Sequence, residues 1–130
     1  MDDMFPLSPA HIRTGKGGEE IAAVFLEQLG YRIIGRNIRV GHHDEIDLIA
    51  FDQQQRILVF CEVKARKKSP DAYHPEINMT WQKRKNMARA ARRWVDLHAW
   101  EGGYRMDTLY VSEKRVIDHH IDVTWPRNNR

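Results

Sequence analysis

Glu62 and Lys64 stand two residues apart in the run Cys61-Glu62-Val63-Lys64, at the end of an otherwise apolar stretch. Residues two apart in a strand project from one face, so an acid and a base share one side of an element that is otherwise built for burial. Charges near a buried strand are costly unless they are paired or bind a metal. A second run, Glu45-Ile46-Asp47-Leu48, puts Glu45 and Asp47 on one face and the apolar pair on the other. If the two runs are hairpin neighbours, Asp47 and Glu62 converge near one end of a sheet. Two adjacent carboxylates repel each other, and a divalent cation is the common way to keep both ionised. All-oxygen ligands favour magnesium or manganese. Lys64 beside such an ion would set its ammonium against a phosphate oxygen or the attacking water of a phosphodiester hydrolysis. Glu19, at the border of the apolar face of a predicted helix, would reach the same place. On spacing alone, the competing reading of Glu62 and Lys64 is a cross-strand ion pair at a sheet edge. Glu45 lies earlier on its strand than Asp47 and reads as a solvated neighbour.

The elements that must position these groups follow from periodicity. Residues 13–29 read as a helix that stops at Gly30, with Ile21, Ala22, Val24, Phe25, Leu26 and Leu29 on one broad face. Glu19 falls in its first turn, where a carboxylate also suits the helix dipole. Strands are expected at 31–40, bent at Gly35, at 45–51 and at 56–64, joined by turns at Gly41-His42-His43 and 52–55. The third is apolar without interruption from Ile57 to Cys61, as a central strand covered on both faces would be. Residues 69–75 form a polar loop, and a second helix over 80–100 carries Met87, Ala90, Ala91, Trp94 and Leu97 on one face. Lys85, Arg89, Arg92 and Asp96 lie opposite, while Lys83 falls on the apolar side in the first turn. Two strands at 105–112 and 115–121 surround a turn at Glu113 and Lys114. The order αβββαββ suits an α/β fold with a mixed sheet of about five strands flanked by helices.

A chain of 130 residues with 42% hydrophobic residues supports one core, so a single domain over 13–122 is expected, with 1–12 and 123–130 as loose ends. The lone Cys61 excludes an intramolecular disulfide and a cysteine-based zinc site and fits a reducing cytosol. No apolar run is long enough to span a membrane and no export signal is recognisable, so a cytoplasmic location is expected. Net charge is +3, and the cations cluster: Lys64, Arg66, Lys67 and Lys68, then Lys83, Arg84, Lys85, Arg89, Arg92 and Arg93. Such clusters attract phosphate backbones, which makes nucleic acid the expected partner through Arg66, Lys67, Lys68, Lys83, Lys85 and Arg89. Adjacent histidines on a strand point to opposite faces, so His42-His43 and His119-His120 could each give a metal only one ligand. Trp81, Trp94 and Trp100 are spaced for burial rather than base stacking.

Taken together, several short blocks resemble one pattern. They are Gly18-Glu19 with Ala22, Leu26, Gly30-Tyr31, Arg36-Asn37, Glu45 to Ala50, and Phe60 to Lys64 with Arg66; the match continues through Lys83, Ala91, Arg105, Asp107 and His119. The pattern resembles that of the YraN family of small bacterial proteins, which is similar in turn to archaeal Holliday-junction resolvases and restriction-endonuclease-like nucleases. The resemblance implies a restriction-endonuclease-like core with Glu19, Asp47, Glu62 and Lys64 as its site, the four positions that spacing had picked out. It further implies Mg2+ or Mn2+ on Asp47 and Glu62, completed by Glu19, and DNA, branched or otherwise structured, as substrate. A homodimer is implied too, because resolvases cut symmetric junctions as dimers. Two departures stand out: Asp44 and Cys61 occupy positions where that family usually has glycine and valine. The rival expectation is a nucleic-acid-binding or scaffolding domain that keeps this fold and has lost turnover.

Overall fold

Gly30 ends the first helix because it can hold a φ of +97°, a left-handed conformation that costs other residues energy. The computed structural model describes residues 17–65 and 81–121. It arranges them as α1 (Gly17–Gln28), β1 (Tyr31–Val40), β2 (Asp44–Asp52), β3 (Ile57–Ala65), α2 (Trp81–Leu97), β4 (Tyr104–Ser112) and β5 (Arg115–His120). This is the expected αβββαββ order. Residues 13–16 of the predicted first helix, Thr80 and both chain ends lie outside the described residues.

The five strands form one sheet in the order β1-β2-β3-β4-β5. Tight turns make β1, β2 and β3 an antiparallel meander, and β4 and β5 a hairpin. β3 and β4 run parallel, which a short turn cannot achieve, so α2 falls within the connection between them. The sheet is therefore mixed. Its two faces are alternate residues of the same strands. Leu48, Ala50, Val59, Cys61, Leu109 and Val111 pack under Ala22, Ala23 and Leu26 of α1. Ile49, Phe51, Leu58, Phe60 and Met106 pack with Ala90, Ala91 and Trp94 of α2. β3 reads as continuous apolar sequence because a cluster lies against each of its faces.

Gly35 marks an irregularity as anticipated: Ile33 pairs with Ala50 and Gly35 with Ile49, so one residue of β1 is bulged out. The β4–β5 turn places Glu113 and Lys114 at φ values of +52° and +69°. Two successive positive φ angles match the twist of a two-residue hairpin.

Four burial expectations need correction. Val24 and Leu29 are 46% and 52% exposed, because the small residues Ala22 and Ala23 let α1 sit close on a narrow strip and its flanks face outward. Trp81 and Leu97 are 49% and 69% exposed; they are the first and last residues of α2. Leu97 lines an open cleft with Ile34 and Ile38 instead of filling it. The second helix also ends earlier than expected. Ala99 adopts φ +53°, its N–H donates to Asp96 O, and Trp100 N–H donates to Val95 O at 3.0 Å. That is a Schellman stop built on alanine, which has no sequence signature. Among the described residues no helix is long and apolar enough to cross a membrane.

Candidate active site

β2 and β3 are paired from Asp52 and Ile57 as far as Leu48 and Cys61. One step further, where Asp47 would face Glu62, the ladder gives way to a side chain: Val63 N–H donates to Asp47 Oδ2 at 2.8 Å. A strand's N–H points sideways in the plane of the sheet, so the Asp47 carboxylate occupies the gap between the two strands. A methyl group on Gly18 would touch Val63 Cγ1 at 3.8 Å, so the first turn of α1 lies directly over the gap and brings Glu19 with it. Glu19 Oε1 is buried and, among the described residues, has no hydrogen-bond partner, an expensive state for a carboxylate oxygen.

These contacts set the electrostatics. Burial pushes the Asp47 carboxyl up to about 7; the Val63 N–H opposes the shift, and the charges of Glu62, Glu19 and Glu45 add to it. Lys64 Nζ lies 3.5 Å from Glu62 Oε2, with only 17% and 24% of the two side chains exposed. The ion pair is thus formed along one strand and not across two, as their shared face requires. Lys83, from the first turn of α2, feels the like charge of Lys64. The neighbouring Lys64 ammonium, with burial, holds Lys83 below the usual lysine range, against the pull of Glu62. On β4, Thr108 sits beside Glu62 in the parallel register, and its buried Oγ1 has no partner among the described residues.

The donors at the gap suit a hard divalent cation. They are all carboxylate oxygens, one is buried without a donor among the described residues, and burial and three neighbouring carboxylates act against the ionised form of Asp47. Among the described residues no three His, Cys, Asp or Glu side chains are grouped as a ready-made cage. Magnesium is ordinarily held by one or two carboxylates, with water and substrate phosphate completing its shell, so an open site fits it.

The structure thus gathers Asp47, Glu62 and Lys64 at one end of the sheet and lays the first turn of α1, with Glu19, over the gap. Glu45 is exposed and acts on Asp47 only by repulsion, which agrees with a neighbour's role. Lys85 is exposed on α2. Arg89 is not simply a solvated cation: its Nε and Nη2 grip Asp44 at 3.0 and 2.8 Å, and this bond holds the Asp44 carboxyl below its ordinary range. The extra charge of Asp44 is therefore answered locally. Arg66, Lys67 and Lys68 lie outside the described residues. The histidines of the second pair do face opposite ways, His119 against Phe25 of α1 and His120 against Tyr110.

One buried assembly was not anticipated from the sequence. Asp107, with no exposed surface, accepts from Arg105 Nε at 2.9 Å and pairs with His119 Nε2 at 2.8 Å. Arg105 also donates to Tyr31 OH at 2.6 Å and reaches Asp52 at 3.4 Å. Burial disfavours the charged guanidinium, but the bonds to Asp107 and Tyr31 raise it above its usual value. The signal was an aspartate inside the apolar run Met106 to Val111, with an arginine two residues before it.

Comparison with known proteins places the chain among similar ones. Residues 18–118 match the family described as uncharacterised protein family UPF0102. A UPF0102 protein of Cytophaga hutchinsonii is 37% identical over 114 residues, covering 88% of this chain and 97% of its own. One from Chlorobium limicola is 40% identical over 121 residues, covering 85% and 91%. A Streptomyces coelicolor relative is 38% identical over 99 residues, covering 75% and 74%.

Proposed function

The chain belongs to the uncharacterised protein family UPF0102, and from that membership and the geometry of the β2–β3 gap we propose that it is a divalent-metal-dependent endonuclease hydrolysing phosphodiester bonds in DNA, branched DNA included. One observation carries the reading. Where the two strands part, the Asp47 carboxylate feels the charges of Glu62, Glu19 and Glu45; Glu62 pairs with Lys64, and Glu19 Oε1 is buried without a hydrogen-bond partner among the described residues. A purely structural sheet end has no need of that set, because apolar residues there would be at least as stable.

Asp47 and Glu62 would hold Mg2+ or Mn2+, with Glu19 completing the site. When bound, such an ion supplies positive charge to the phosphate oxygens and lowers the pKa of an attached water. The chain's own groups do the rest. Val63 N–H holds the Asp47 carboxylate in place through Oδ2. Lys64 neutralises charge that grows on the phosphate as the bond breaks, and Glu19 orients the water. Lys83, Lys85 and the cations at 66–68 draw in the DNA backbone. Symmetric junctions need two cutting centres, so the reading includes a homodimer, acting in a cytosol that keeps Cys61 reduced.

The test is incubation of four-way-junction and plain duplex DNA with manganese. Wild type is expected to nick, and Glu62→Gln to lose about a hundredfold or more of the rate while still binding DNA. Equal nicking by the two proteins would overturn the assignment. A second reading, a DNA-binding or scaffolding domain without turnover, is favoured by the Glu62–Lys64 contact, which satisfies part of Glu62 without any metal. It predicts DNA binding with no cleavage in either protein.

A further inference from the structure

Thr108 stands in the middle of β4 with 1% of its surface exposed, and its Oγ1 has no hydrogen-bond partner among the described residues. A buried hydroxyl in that state costs stability, whereas valine has nearly the same shape, suits a strand equally well and leaves no polar group unpaired. In the fold as it stands, the hydroxyl gives the sheet nothing. Its surroundings show where a partner would come from. Phe60 and Met106 both pack with α2, so Glu62 and Thr108, each two residues further along its strand, share that face. The parallel register sets Glu62 directly beside Thr108, and neighbouring strands lie about 4.8 Å apart. On the other side of Thr108 stands His120, which is engaged by Asp118 at 3.3 Å and by the ring of Tyr110. Glu62 has acceptor capacity to spare, because an ionised carboxylate takes about four hydrogen bonds. Lys64 approaches its Oε2 at 3.5 Å, longer than the roughly 2.8 Å of a charge-assisted bond, so the ion pair leaves the carboxylate loosely held.

We propose that Thr108 is a positioning residue for Glu62: its hydroxyl donates to the Glu62 carboxylate when that carboxylate turns to hold a divalent cation, and is idle otherwise. The inference rests on the reading of the β2–β3 gap as a metal site. A carboxylate that holds a metal is itself held by hydrogen bonds, and these outer partners set much of the affinity. Val63 N–H does this for Asp47, and Thr108 does it for Glu62 from the neighbouring strand. The instability of an unpaired hydroxyl in the metal-free protein is then offset when the ion is bound.

Two measurements on the full chain separate the idle hydroxyl from the engaged one. Wild type, Thr108→Val and Thr108→Ser are melted in buffer containing EDTA, then freed of EDTA and titrated with manganese by calorimetry. In EDTA, Thr108→Val is expected to melt about 3–6 °C above wild type, since it loses only an unpaired polar group. It should nevertheless bind manganese about tenfold more weakly. Thr108→Ser keeps the hydroxyl and loses a methyl group, so it should melt below wild type while restoring most of the affinity. A variant that is more stable and yet binds less does not owe its loss to a damaged fold. Thr108→Val melting below wild type in EDTA would show that the hydroxyl is already satisfied without metal, and would overturn the proposal. Equal manganese affinity in wild type and Thr108→Val would overturn it too, while leaving the metal site standing. Failure of the nuclease reading looks different: wild type itself takes up no manganese, and the positioning role falls with it.

Discussion

A carboxyl pushed up to about 7 is a stability statement as well as a chemical one. The ordinary value for Asp47 is 3.8, so the folded state binds its proton more tightly than the unfolded state does. The stability this gives is fully present below about pH 4 and is lost as the pH rises through about 7. Asp47→Asn, which keeps an oxygen for Val63 N–H, should therefore unfold at a higher temperature than wild type at pH 8.5. The gain should be on the order of 1–3 kcal/mol, fading towards pH 4. Thermal unfolding at the two pH values checks this, and a difference independent of pH would contradict it. Asp107 presents the opposite case. It is wholly buried, and removing it strands Arg105, whose side chain is only 11% exposed. Asp107→Ala should cost about 3–5 kcal/mol in urea unfolding; a loss below about 1 kcal/mol would show that the cluster relaxes or hydrates freely.

At the scale of elements, α2 trades its own stability for cations at its first turn. Lys85→Glu should make the helix end more favourable by a few tenths of a kcal/mol and should weaken DNA binding severalfold. Circular-dichroism melts and fluorescence anisotropy would show the two effects moving in opposite directions; stability and affinity falling together would contradict the trade. The elements themselves were largely legible, because strand alternation and the apolar run of β3 reflect the two faces they bury. Gly30 announced its helix end, whereas Ala99 closes α2 with the same backbone turn and no glycine to mark it. Val24, Leu29 and Leu97 misled for a different reason. A helical wheel shows which residues could face a sheet, but the width of the strip actually covered depends on how closely the helix docks.

For the whole molecule, the site was readable to the extent that its residues are anomalies. Asp47, Glu62 and Lys64 are charges in apolar strands, and only a functional or a paired environment tolerates them. What could not be read was a meeting set by the docking of α2 on the sheet, Arg89 with Asp44. The Asp107 cluster was hidden for a similar reason, as its partners come from β1, β2, β4 and β5. If the basic surface binds DNA through phosphates, affinity should fall steeply with salt. Each cation removed from a true contact should then lower the slope of log affinity against log salt by about 1. Lys83→Met should do so, whereas Arg92→Met should not, and equal slopes would mean a diffuse field without defined contacts. The central claim is that the gap between β2 and β3 is a metal site. It is tested most directly by calorimetric titration of manganese into wild type and Asp47→Asn. Saturable binding by wild type, strengthening as the pH rises towards 7 and lost in the variant, is the predicted result. A folded wild type that takes up no manganese, or a variant that binds it equally well, would contradict the account.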